Sequence, residues 1–224
     1  STPIIIASDV TGSMGSLAEQ LIKNDLGTIM KEIYDRKPVT DPHILMGAVG
    51  DTYWDSAPFQ ATQFEADMKV VDQIEKFFIE GGGGGNSGES YIAAWYFAAY
   101  KTATDSFAKR GKKGYVFTIG DEAPLLTITK DQIKTVFNDV VESDMTAEGL
   151  LDVVRQQWNV FHVIVKPHGR FTHEPQRWKD LLGQNVIVID DISKLGEVIV
   201  STIQIIEGED LDAVANGWSG STAV

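Results

Sequence analysis

Three short segments of this 224-residue chain carry oxygen donors at spacings suited to a hard cation. Asp9-Val10-Thr11-Gly12-Ser13-Met14 offers a carboxylate and two hydroxyls at alternate positions. Residues 81–90 run from five glycines through Asn86-Ser87-Gly88-Glu89 to Ser90, and Gly120-Asp121-Glu122 supplies further carboxylates. Thiolate and imidazole are missing from all three. Oxygen donors alone select Mg²⁺, Mn²⁺ or Ca²⁺ over zinc or copper. Hydroxyls are neutral, so an ion held by them keeps net positive charge, bound waters and affinity for an incoming carboxylate. That chemistry suits gripping a partner better than storing a structural metal.

The segments acquire meaning from the elements that must position them. Residues 3–8 form a short β-branched apolar run, read as a strand buried on both faces. Further strands are expected at 44–50, 59–64, 115–119, 159–165 and 185–189. Helices are expected at 16–36, 65–79, 87–107, 130–138, 146–158 and 191–206, the first from Leu17, Leu21, Ile22, Leu26, Ile29, Met30 and Ile33 at helical spacing. Strands alternating with helices imply an α/β fold: a doubly wound, mostly parallel six-stranded sheet with helices on both faces and one antiparallel edge strand. In such folds ligands sit beyond the carboxyl ends of the strands, where strand order reverses. The 9–14 and 120–122 segments directly follow strands, and the glycine run opens a helix. One domain is expected over residues 1–208, with 209–224 a flexible tail rich in Gly, Ser, Asn and Ala.

Composition narrows the function. A formal charge of −13 repels phosphate backbones and anionic membranes, which argues against nucleic-acid partners. No apolar run reaches the roughly 20 residues needed to span a bilayer. The first residues lack the pattern of a signal peptide, and the absence of cysteine excludes disulfides and thiolate metal sites, so a cytoplasmic location is expected.

Asp9-x-Thr11-x-Ser13 resembles the D-x-[S/T]-x-S element of the metal-ion-dependent adhesion site of von Willebrand factor A domains. The form DVTGSM is that of bacterial and intracellular members, and Gly120-Asp121 resembles the family's final aspartate motif. Element order and motif spacing extend the likeness over about residues 3–208, which implies the Rossmann-like fold of that family. The resemblance implies that Thr11 and Ser13 ligate Mg²⁺ (or Mn²⁺ or Ca²⁺) directly, while Asp9 and Asp121 act through waters. An Asp or Glu of a partner protein would complete the octahedron. A MoxR-type AAA+ ATPase system is the partner context that family analogy suggests.

The second loop departs from the pattern. Gly83-Gly84-Gly85-Asn86-Ser87-Gly88-Glu89 resembles a GGGDxPE version of it, with Asn86 where the aspartate belongs. The third ligand is then Asn86, Ser87 or a water. Asp51 follows the second strand, either at the rim of the site or as a turn residue, and Trp54 beside it is a candidate partner contact. His43, His162, His168 and His173 lack zinc-ligand spacing, and Trp95, Trp158 and Trp178 read as packing residues. The expectation is a metal-dependent protein-binding module and not an enzyme. Two alternatives stand beside it: a haloacid-dehalogenase-like Mg²⁺-dependent phosphatase with Asp9 as nucleophile and Lys109, Lys112 or Lys113 as basic partner, and a metal-free scaffold of the same fold.

Overall fold

In the first strand, β1 (Thr2–Asp9), every residue is buried, and alternate side chains serve opposite layers. Ile4 and Ile6 enter one hydrophobic core, and Ile5 and Ala7 the other. A strand apolar on both faces is stable only when both faces are covered, so this one run commits the protein to three layers. The computed structural model describes residues 1–79, 88–166 and 175–218, apart from the side chains of Lys23 and Asn24.

The remaining strands of the main sheet are β2 (Pro42–Val49), β3 (Phe59–Ala61), β4 (Gly114–Gly120), β7 (Trp158–Val165) and β8 (Val186–Ile189). Their order is β3-β2-β1-β4-β7-β8. All pairings are parallel except that of β2 with the edge strand β3. The chain moves outward from β1 to β2 on one side, then returns to β4 on the other. Strand order therefore reverses between β1 and β4, and their carboxyl ends open the crevice where such sheets bind ligands. A two-stranded antiparallel ribbon, β5 (Thr127–Ile128) with β6 (Met145–Thr146), lies outside the sheet.

One layer contains α1 (Ser16–Gln20), α2 (Leu26–Arg36), α3 (Lys69–Ile74), α9 (Leu195–Ile206) and α10 (Leu211–Trp218). The helix expected over 16–36 runs that full length, but its middle turn, Leu21–Asp25, is π-helical. The opposite layer holds α4 (Ile92–Tyr100), α6 (Lys130–Phe137), α7 (Ala147–Val154) and α8 (Gln176–Leu182).

Several boundaries differ from the sequence reading for physical reasons. The helix expected over 87–107 divides into α4 and α5 (Asp105–Arg110). At the break the Ala98 carbonyl accepts from Thr102 Oγ1 at 2.7 Å and from Trp158 Nε1 at 3.2 Å, bonds that end the helical ladder. Trp158 itself opens β7 instead of closing a helix. The helix expected over 65–79 shortens to α3, because Glu65 pairs with Ile44 and extends the sheet edge.

The chain after Gly208, read as a flexible tail, begins with α10. Val214 and Trp218 are buried, and the Arg36 guanidinium lies 3.4 Å from the Trp218 ring centroid. Arg36 also donates to the Gly217 carbonyl at 3.2 Å. Spacing alone concealed this, because the anchor is a cation on α2 far away in sequence. Among the described residues no helix is long and apolar enough to cross a membrane.

Trp218→Ala is expected to lower the unfolding free energy by about 3 kcal/mol through lost burial. Arg36→Ala should cost about 1 kcal/mol through the lost cation–π contact. Urea denaturation measures both, and unchanged midpoints would show that α10 contributes nothing to the folded core.

Candidate functional site

β1 ends on Asp9, whose side chain is wholly buried. In the loop that follows, Val10 and Met14 turn into the core under the first helix, which leaves Thr11 and Ser13 facing the crevice. Asp9 Oδ1 accepts from the Thr11 backbone N–H at 2.8 Å and from Thr11 Oγ1 at 2.7 Å. Ser13 Oγ donates to Asp121 Oδ1 at 2.9 Å, a contact between residues 108 apart in sequence. The Thr11 and Ser13 hydroxyl oxygens stand 3.3 Å from each other. The structure thus brings together Asp9, Thr11, Ser13 and Asp121. Asn86 and Ser87 lie outside the described residues, as do the five glycines before them and His168 and His173.

The second oxygen of Asp9 reveals a residue that sequence reasoning missed. Asp9 Oδ2 accepts from the Tyr91 hydroxyl at 2.7 Å. The same hydroxyl accepts from the Glu122 backbone N–H at 3.4 Å, so Tyr91 ties the first loop to the third. Tyr91 reaches there only because residue 120 is glycine: a Cβ at Gly120 would sit 1.9 Å from the Tyr91 hydroxyl oxygen. Gly120 carries a hint of such close approach in its residue type, but Tyr91, in an apolar helical run, carries none.

Tyr91 in turn stands on a buried aromatic floor. Its ring meets His162 and Trp178 edge-on at centroid distances of 5.0 and 5.3 Å. His162 stacks on Trp178 at 3.5 Å, and its Nδ1 lies 2.8 Å from Thr118 Oγ1. Burial holds the His162 pKa well below 6.5, so the ring is neutral. Trp178 Nε1 donates to the Glu122 carbonyl at 2.9 Å, which anchors α8 to the third loop.

Asp51 serves a turn. It is buried, and its Oδ1 accepts from the Tyr53 backbone N–H at 2.7 Å. Next to it, Thr52 Oγ1 lies 2.9 Å from Ser90 Oγ and accepts from Gln132 Nε2 at 2.8 Å. Gln132 is also the capping-box residue of α6, so one side chain starts a helix and braces this loop. Tyr53 and Trp54 project outward, 54% and 69% exposed.

Charge at the site is one-sided. Burial pushes the Asp9 pKa up to about 7 against the hydrogen bonds from Thr11 and Tyr91, and the charge of Asp121 adds to the rise. Burial, then the charges of Asp9 and Asp51, push Glu89 up to about 9. Among the described residues no three His, Cys, Asp or Glu side chains form a metal-holding group by themselves. A cation here would need the Thr11 and Ser13 hydroxyls.

The basic partner of the phosphatase alternative is misplaced. Lys109 pairs with Asp105, Lys112 with Glu207, and Lys113 donates to the Arg155 carbonyl. All three precede β4, whereas Asp121 follows it. At about 3.3 Å per residue the strand separates them from the site by about 20 Å.

Both raised acids bind protons more tightly in the folded protein than in the unfolded chain. Their stabilising protonation is complete below the unfolded values near 4 and is lost as pH rises through about 7 and about 9. The melting temperature in EDTA is therefore expected to fall between pH 6 and pH 10. A flat profile, measured by circular dichroism, would mean that both carboxyls are ionised without penalty.

No family model and no curated protein matches the sequence. Solved structures do match. The pilus adhesin SpaC from Lactobacillus rhamnosus GG, in an open conformation, is 8% identical with a TM-score of 0.63, over 91% of this chain and 30% of the adhesin. Proximal thread matrix protein 1 from the mussel byssus, with a zinc-occupied MIDAS motif, is 10% identical with a TM-score of 0.57, over 91% of this chain and 47% of that protein. A von Willebrand factor type A structure from Catenulispora acidiphila is 14% identical with a TM-score of 0.52, over 93% of this chain and 43% of that one. The chain thus spans less than half the length of each of these three. At such identities the likeness is one of fold, and the chain has the von Willebrand factor A fold.

Proposed function

We propose that this domain is a protein-binding module in which a divalent cation, Mg²⁺ before Mn²⁺ or Ca²⁺, links the carboxyl-end crevice to an Asp or Glu of a partner protein. The observation that carries this reading is the meeting of Thr11, Ser13 and Asp121 across the β1–β4 reversal. Neighbouring oxygens around Mg²⁺ are about 3.0 Å apart, and around Ca²⁺ about 3.4 Å. The 3.3 Å between the two hydroxyls suits adjacent corners of such a shell. The cation would supply a positive centre for a carboxylate.

The surrounding acids orient the donors. Asp9 accepts the Thr11 hydroxyl proton and Asp121 accepts that of Ser13, which leaves oxygen lone pairs on both hydroxyls for the cation. Ser13 is exposed, so the site is open on the side a partner would approach. Tyr53 and Trp54 project outward on a loop braced against Ser90 and offer aromatic contact area. The mussel matrix protein with an occupied MIDAS motif and the pilus adhesin lend support from the same fold.

A binding role is preferred to phosphoryl transfer because Asp9 is unsuited to nucleophilic attack. It has no exposed surface, and hydrogen bonds occupy both of its oxygens.

Calorimetric titration of EDTA-stripped protein with Mg²⁺, Mn²⁺ and Ca²⁺ tests the reading. One site is expected in the wild type, weakened at least about 10-fold by Asp9→Ala with Ser13→Ala. Far-ultraviolet circular dichroism of the double variant should be unchanged. A wild type that takes up none of the three cations would instead favour the metal-free scaffold.

A further inference from the structure

We infer that the turn between α5 and β4, at the opposite end of the sheet from the crevice, is a second docking surface that takes a short acidic segment of a partner protein. Residues 109–113 read Lys-Arg-Gly-Lys-Lys, four cations in five positions of a chain whose net charge is −13. Arg155, at the end of α7, joins them, since the Lys113 ammonium donates to its carbonyl. Charges of both signs are ordinarily interspersed on a surface unless a local field is to steer a partner. A chain this rich in acids could easily have interspersed them here.

The fold gathers these cations without neutralising them all. Lys109 pairs with Asp105 at 2.6 Å, and Lys112 with Glu207 at 2.7 Å. Arg110 and Lys113 are exposed, and their hydrogen bonds go to neutral carbonyls, those of Ser1 and Arg155. Asp105 lies near Arg110 but is taken up by Lys109. Arg155 is half-buried and forms no ion pair among the described residues. The turn itself is fixed. Gly111 ends α5 in the left-handed conformation, with φ of +63°. The Ser106 hydroxyl donates to the Lys112 carbonyl at 2.6 Å, and the Lys112 N–H donates to the Ser106 carbonyl at 3.2 Å. Cations carried on a fixed backbone lose less freedom on binding. Beside the turn, Arg110 and Lys112 line a cavity of about 450 Å³ with Thr2 and Thr40. Its one acid, Asp41, lies 3.4 Å from the Ser1 amino nitrogen.

The charge of the remaining surface selects the size of the partner's acidic group. Exposed charges more than about 8–10 Å apart are screened at physiological salt, so a compact acidic segment feels the patch alone. A nucleic-acid duplex or an anionic bilayer extends past the patch and meets the acidic remainder of the chain. The length of β4 separates the patch from Asp121, so this docking stands whether or not the crevice holds a cation.

Fluorescence anisotropy of a labelled oligoglutamate peptide tests the proposal, at about 50 mM salt and in EDTA so that no crevice cation can hold the peptide. Arg110→Ser with Lys113→Ser and Arg155→Ser is expected to weaken binding at least about 10-fold. The melting temperature should not change, since none of the three holds an ion pair, and each single replacement should give a smaller loss. Lys31→Ser with Lys69→Ser and Lys179→Ser removes the same charge from exposed positions elsewhere and should bind as the wild type does. Phosphatidylserine vesicles and a DNA duplex should not be retained. The proposal is overturned if the wild type does not bind the peptide, or if both triple variants lose equally. Patch-dependent binding of vesicles or DNA in place of the peptide would overturn it too.

Discussion

A carboxylate buried at the end of the central strand must be supplied with hydrogen bonds, and the architecture around the crevice follows from supplying them. Asp9 has no exposed surface, and its two oxygens take three donors from two different elements. Thr11 serves one oxygen from the adjoining loop. Tyr91 serves the other from the start of α4, which requires Gly120 at the end of β4 and the aromatic floor of His162 and Trp178 beneath the ring. A change at any of these positions would act on the site through Asp9. The constraint also explains why Asp121 lies where it does, since the residue after Gly120 is carried to the same rim.

Much of this frame was legible in the residues. The apolar runs that become β1, β2, β4, β7 and β8 are short and rich in β-branched residues, and burial on both faces leaves such runs little alternative. The 16–36 periodicity survived as one helical run even through its π turn. What escaped depended on partners remote in sequence. Thr102 and Trp158 end α4 by competing for one carbonyl. Arg36 anchors α10 through Trp218, and composition alone made that segment look loose.

The site was legible to a similar degree. Asp9, Thr11, Ser13 and Asp121 stand together because the loop after a buried strand sends Val10 and Met14 into the core and leaves Thr11 buried against Asp9 and Ser13 exposed beside Asp121. Tyr91 gave no comparable signal, because its hydroxyl matters only through its bonds to Asp9 and Glu122, tens of residues away. Asp9, Glu89 and Asp121 together make the crevice strongly acidic, and the −13 charge of the chain offers it no general relief. A bound cation would answer that imbalance locally.

The central claim is that a divalent cation belongs between the Thr11 and Ser13 oxygens, beside Asp121. Anomalous diffraction from crystals grown with Mn²⁺ tests it most directly. The account predicts one strong peak within bonding distance of both hydroxyl oxygens. A map with no peak there at saturating Mn²⁺ would contradict it.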